Sequence, residues 1–256
     1  MNQQHKLSLS TLSLIILTAG SLFALNTPTE NLSVSDMDLY ERGRVILKLA
    51  MEQIWANSSE REANESLLKQ AETIFHGISD EAARTYALAQ VEIYRGRLEI
   101  LQKDKKTAQE HAEKAMEHAR ISIEARESAD AYRLRAEAGS LWMGVHGLAG
   151  MLKMAPQVQL WLDEALALNP QNAMAIVLNN QRKIFAPKVS GGAPEEAVLQ
   201  LSAQLPRQDL TKIERFWILT SLSQAHKKLR QKSQAAQYCD EAALIFPNSL
   251  LIKRCR

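Results

Sequence analysis

The chain has 256 residues, 46% hydrophobic, 23% charged and only 5% aromatic, with 10 Gly, 7 Pro and 2 Cys. That is long enough to bury one extended core or two small ones, but near-absent β-branched alternation leaves no material for a sheet of any size. The formal net charge of +2 excludes attraction of the whole molecule to nucleic acid.

At the N-terminus, His5-Lys6 precedes the apolar run Leu12-Ser13-Leu14-Ile15-Ile16-Leu17, and Thr18-Ala19-Gly20-Ser21-Leu22-Phe23-Ala24 follows. A basic start, an apolar centre and small exit residues predict a signal peptide over residues 1–25, cleaved near Ser21 or Ala24. No Cys lies nearby to carry a lipoprotein anchor. The span from Leu7 to Leu25 also approaches bilayer length, so an uncleaved anchor is the alternative and the one expected route to a membrane. No later run reaches the ~20 apolar residues of a transmembrane helix. The expected location is periplasmic or secreted.

Residues 26–34 predict a polar linker, and 35–256 a single helical domain. Ser35-Asp36-Met37-Asp38 predicts a helix to about Trp55, and Asn57-Ser58-Ser59 caps a second with Leu67, Leu68, Ala71 and Phe75 on one face. Further helices are predicted from Ser79-Asp80 to Leu101, over Lys105 to Ala125, and over Ser128 to Met154. A sixth opens at Pro156 and ends at Asn169-Pro170, and a seventh spans Ala173 to Phe185. An eighth opens at Pro194, and a ninth at the Thr211-Lys212-Ile213-Glu214 capping box; the tenth ends at Phe246-Pro247. Ten helices joined by short turns predict five antiparallel hairpins. Basic clusters at Lys103-Asp104-Lys105-Lys106, Lys227-Lys228-Leu229-Arg230 and Lys253-Arg254-Cys255-Arg256 are expected at solvated helix ends, where they complement the helix dipole.

A period runs through these hairpins. Ala242, Ala235, Ser223 and Leu219 lie five, twelve, twenty-four and twenty-eight residues before Pro247, and Gly96, Ala108 and Ala115 repeat the separations of twelve and seven. Before Pro170, Ala165, Leu162 and Trp142 stand at five, eight and twenty-eight. Small residues at such spacings permit two helices to cross closely, and proline closes the unit. The stretch Leu-Ala-Leu-Asn-Pro-Gln-Asn-Ala-Met-Ala, residues 166–175, resembles the junction between tetratricopeptide repeats (TPR), helix–turn–helix units of 34 residues. Pro170, Pro206 and Pro247 are 36 and 41 residues apart, so the tandem is irregular. Its surplus residues fall at Lys188 to Ala193, a connector within one repeat, and at Arg207 to Leu210.

The string Pro156, Trp161, Leu162, Asp163, Ala165, Leu166, Leu168, Pro170, Asn172, Ala186-Pro187 and Gly191-Gly192 is also similar to a group of exported bacterial TPR-like proteins. It covers about residues 130 to 205. More distantly it is similar to the periplasmic TPR subunit of tripartite (TRAP-type) transporters, which holds a solute-binding subunit. Ala193 stands where those relatives carry a capping Asp or Asn.

No Gly-x-Ser-x-Gly, Gly-x-x-x-x-Gly-Lys-Ser/Thr or His-Glu-x-x-His occurs. His111 and His118 are seven apart, wider than the three or four residues between helical metal ligands. The expectation is a non-enzyme without cofactor or metal. What the TPR resemblance implies is a groove lined by the first helices of the hairpins, here Ile93 and Arg97, Met143 and Gly147, Met174, Val177, Gln181 and Ile184, Gln224 and Lys227. The same residues can instead be inter-repeat core. Pro187, Gly191 and Gly192 form either a plain reversal or an exposed rim loop. Gly139 to Met151 holds four glycines, which implies either close helix approach at Gly144 and Gly147 or an apolar cavity walled by Trp142, Met143 and Met151. Both readings expect burial. Cys239 and Cys255 either form a bridge stapling the tail to the last hairpin, or leave Cys239 as a buried hydrophobe and Cys255 loose. The expected function is a scaffold for another envelope or periplasmic protein, binding a peptide segment or a solute-binding subunit. A carrier of a small apolar ligand or a transporter accessory is the alternative, and no nucleic-acid partner is expected.

Overall fold

The structure, a computed structural model, describes residues 27–56 and 60–255; the expected signal peptide with its cleavage point and the Asn57-Ser58-Ser59 cap lie outside the described residues. Among the described residues the fold is all-α. Its helices are α1 (Val34–Ala56), α2 (Arg61–Phe75), α3 (Glu81–Leu101), α4 (Lys105–Ala125), α5 (Ala129–Leu168), α6 (Ala173–Phe185), α7 (Pro194–Ser202), α8 (Lys212–Lys228), α9 (Lys232–Ile245) and α10 (Leu250–Cys255). None is long and apolar enough to cross a membrane.

Local chemistry sets most helix starts. Asp80, Asp104, Ser128, Asn172 and Thr211 each accept a backbone N–H three residues on, and Thr211 with Glu214 completes the expected capping box. At α1 the cap is Ser33, whose hydroxyl accepts from Asp36 N at 3.0 Å. Asp36 instead ties two hairpins together, accepting from Ser79 N at 2.8 Å and Ser79 Oγ at 2.7 Å. Part of the expected linker is also held to the body, since Pro28 is buried and its carbonyl accepts from Arg126.

The helices pack in adjacent pairs, α1 on α2, α3 on α4, α6 on α7 and α8 on α9, and first helices of successive pairs also meet, as α1 with α3 and α6 with α8. Small residues sit at the crossings picked out by the period. Ser223 Oγ donates to Ala235 O at 2.7 Å, and a Cβ at Gly96 would lie 3.4 Å from Ala108 O. Ala108, Ala115, Ala235 and Ala242 are buried. A shared hydrophobic core runs from Leu47 and Ile54 of α1 to Phe216 of α8 and Ile252 of α10.

The main departure from expectation is α5. The break falls at Gly147 (φ 61°, ψ −139°), and Pro156 lies inside the helix. A Cβ on Gly139 would lie 2.7 Å from Val158 Cγ2 and 3.1 Å from the Trp161 ring. Residues nineteen apart in one straight helix would be roughly 28 Å apart, so the two arms double back on each other at Gly147. Glycine is required there because no other residue enters that backbone region cheaply. The close approach expected at Gly144 and Gly147 is found at Gly139 and Gly150: a Cβ at Gly144 or Gly147 meets nothing within 4 Å. The expected burial is also wrong at the turn, where Leu148, Met151 and Leu152 are exposed.

The connector after α6 is a compact reversal. Lys188–Ser190 forms one 3-10 turn, Gly191 takes φ 87°, and a Cβ at Gly192 would lie 2.0 Å from Ala186 O. Ala193 N donates back to Lys183 O at 2.9 Å, closing the loop at its base. Cys239 and Cys255 are disulfide-bonded, with Cα atoms 5.8 Å apart, so α10 is stapled to α9.

Two outcomes test this account. Gly147→Ala should destabilise the chain by about 1–3 kcal/mol through backbone strain, while Gly144→Ala, in open space, should stabilise it by up to ~1 kcal/mol; equal effects in urea denaturation would refute the assignment of the turn. Removing the disulfide with Cys255→Ser should cost roughly 3 kcal/mol, the entropy of freeing a loop of this length, and an unchanged melting temperature would count against it.

Candidate functional site

The first helices of the pairs face one another around a cleft of about 380 Å³. Its walls are Leu47, Lys48 and Met51 of α1, Tyr86, Gln90 and Ile93 of α3, and Asp130, Arg133 and Glu137 of α5, with Met174 of α6 and Lys212 of α8. The i, i+3 and i, i+4 spacing along α3 and α5 brings each set to one helix face.

The floor is set by one carboxylate. Glu137 is 5% exposed and accepts from Arg133 Nη1 at 2.6 Å and from Arg97 Nη2. The Arg97 guanidinium carbon lies 5.1 Å from the ring centre of Trp55, 5.0 Å from that of Tyr94 and 5.2 Å from that of Trp217. Trp55 and Trp217 meet edge-on at 5.0 Å, so α1, α3 and α8 converge on this cation although Trp55 and Trp217 are far apart in sequence. A guanidinium over aromatic faces retains favourable electrostatics while shedding water.

This floor shifts its titratable groups. Burial pushes the Tyr94 hydroxyl up to about 12, opposed by Arg97. Burial, aided by Asp130, pushes Tyr86 well above its ordinary value. Burial works against the charge on Arg133, but the carboxylates of Glu137 and Asp130 oppose it and hold the guanidinium protonated. Asp130 also accepts from Asn172 Nδ2 at 2.9 Å, so the α6 cap and the cleft wall are one construction. With these phenols neutral and these ions paired, the floor offers fixed hydrogen-bonding groups. Its exposed edge adds Lys48 and Gln171.

The residues proposed for the groove do not form one surface. Ile93 and Met174 line the cleft, and Arg97 is locked beneath it. Val177 and Ile184 are core, packed with Ala197, Leu201, Ile218 and Leu222. Gln181 and Gln224 are half-buried outside the cleft walls, and Lys227 lies in another hollow beside the disulfide. Trp142 is buried, with Nε1 donating to Glu113 Oε1 at 3.1 Å and its ring tilted against that of His146, their centres 3.9 Å apart. Met143 packs on the Trp161 cluster, whereas Met151 is half exposed and Gly147 stands in open space, so these residues do not wall one cavity. Pro187 and Gly191 are exposed on the connector and Gly192 is half-buried against Ala186.

Trp55, Tyr86, Tyr94, Arg133, Glu137 and Trp217 are site residues that the sequence did not single out. Arg133 and Glu137 at i, i+4 carried a legible signal. The pairing of Trp55 with Trp217 carried none, because it arises only when α1 and α8 meet. Among the described residues no group of three or more His, Cys, Asp or Glu is placed to hold a metal ion.

A double-mutant cycle tests the floor. Arg97→Met and Glu137→Gln should each destabilise by on the order of 3 kcal/mol, because each leaves a buried partner short of a counter-charge, and the double variant should cost less than their sum. Additive losses in denaturant unfolding would show that the pair does not act as a unit. No protein-family model matches this chain, and no curated protein matches it.

Proposed function

We propose that the chain is an exported, non-catalytic, TPR-like scaffold that holds a segment of another envelope or periplasmic protein in the cleft between α1, α3, α5, α6 and α8. The observation that carries this reading is the cleft itself. Its floor is rigid and internally neutralised, its walls mix apolar Leu47, Met51 and Met174 with the amide of Gln90, and all come from the first helices of their pairs. Such a lining suits a short extended or helical segment, whose backbone needs hydrogen bonds and whose side chains need apolar contact.

The TPR-like reading rests on the small-residue crossings at Gly96/Ala108 and Ser223/Ala235 and on the pairing of successive helices. Export rests on the apolar N-terminal run and on the Cys239–Cys255 bond, since disulfides persist in oxidising compartments. The apolar-ligand alternative has lost its expected site, because Met151 faces solvent.

A photo-crosslinking amino acid at Gln90 or Met174, used with envelope extract, should give one dominant adduct, and Lys48→Glu with Met174→Asp should weaken capture about tenfold or more while the fold is retained. Adducts equally abundant from an exposed position on α2, such as Lys69, would defeat the proposal.

A further inference from the structure

A second hollow, of about 560 Å³, lies between α8, α9 and α10 and shares no lining residue with the cleft. Its floor is apolar, formed by Ala235, Ala236 and the Cys239–Cys255 bond, and Lys227, Arg230 and Lys232 line it. Several arginines elsewhere are neutralised within the chain. Arg61, Arg95, Arg97, Arg126 and Arg133 each face a carboxylate. Among the described residues, Lys227, Arg230 and Lys232 take part in no ion pair, and the one polar contact of Lys227 is to Arg254 O at 3.2 Å. The single acid in the lining, Asp240, is already engaged in an interaction of its own. Lys253 and Arg254 of α10 add positive charge nearby, and both are exposed.

The helix dipole accounts for only part of this. Lys227 belongs to the last turn of α8, where a cation is favourable. Lys232 is the first residue of α9, where a cation is unfavourable; that helix has no acidic residue in its first turn and no side-chain cap. Three cations and a single acid in one lining leave a local excess of positive charge over an apolar floor.

We propose that this hollow binds a phosphate-bearing ligand, its phosphate held by Lys227, Arg230 and Lys232 and its apolar part resting on Ala235, Ala236 and the disulfide. Lys227, Arg230 and Lys232 share one lining, and a phosphate group, as a monoester, diester or pyrophosphate, meets Lys and Arg with negative charge spread over strong acceptor oxygens. The site is independent of the scaffold reading and does not use its cleft. A soluble phosphate compound and a phospholipid headgroup share this chemistry.

The test uses the full chain at low salt, where such contacts are least screened. Calorimetric titration with pyrophosphate and co-sedimentation with phosphatidylglycerol or phosphatidylcholine vesicles would be run on the native chain, on K227Q/R230Q/K232Q, and on K69Q/K105Q/K106Q, which removes equal charge elsewhere. The expected result is binding by the native and control chains, weakened about tenfold or more in the first variant. Preference for pyrophosphate identifies a soluble ligand, and preference for phosphatidylglycerol over phosphatidylcholine identifies a headgroup; either supports the site. Should K227Q/R230Q/K232Q fold poorly by circular dichroism, K232Q alone supplies the same comparison. Absence of binding to both probes, or equal weakening in the control, overturns the proposal.

Discussion

Glu137 lies at the bottom of the cleft, where a carboxylate withdrawn from water is costly unless its charge is balanced and its oxygens are bonded. Both oxygens are taken, one by Arg97 from α3 and one by Arg133 from its own helix. Arg97 must therefore stay in place, and Trp55, Tyr94 and Trp217 close around it. The requirement to satisfy one buried acid thus fixes where α1, α3, α5 and α8 stand relative to one another. The cleft above exists because these helices are held at that separation by ions and aromatic rings that cannot collapse further.

A comparable logic operates on the outer side of the same helices. Arg95 reaches Glu65 at 3.0 Å, Glu72 at 2.7 Å and Glu92 at 3.1 Å, and Glu92 also meets His111 Nδ1 at 2.6 Å. This knits α2, α3 and α4 where their alanine-rich faces alone would specify little. Alanine at Ala108, Ala112, Ala115 and Ala119 permits close approach but gives few shape constraints, so register falls to the charged network. His111, whose spacing from His118 is too wide for a metal pair, is part of that network.

How far the sequence reached can be judged element by element. Helix propensity, the Asp and Asn caps and the Thr211–Glu214 box are interactions within four residues, so eight of the helices were legible in place, α4 and α6 at both ends, while α5 breaks elsewhere than expected and α10 was not foreseen. At Gly147 the spacing shows that a residue is small without showing whether its φ is positive, so close approach, a cavity nearby and a groove position all fit the sequence while the turn leaves no mark in it. Pro156 looked like a helix start for the converse reason, since a proline at a first turn and one tolerated within a helix have the same sequence. Ile184 and Val177 were apolar residues on first helices, and only packing against α7 and α8 decided that they are core.

By itself, then, the sequence determined an all-α chain, its small-residue crossings and its punctuation, because each depends on neighbours along one helix or one hairpin. Tertiary structure alone decided that Trp55 meets Trp217, that Arg97 reaches Glu137, and that Cys255 reaches Cys239. Those contacts join separate hairpins or a tail to its hairpin. Their partners are selected by how many helices intervene and at what angle each packs, quantities that no local pattern of residues records.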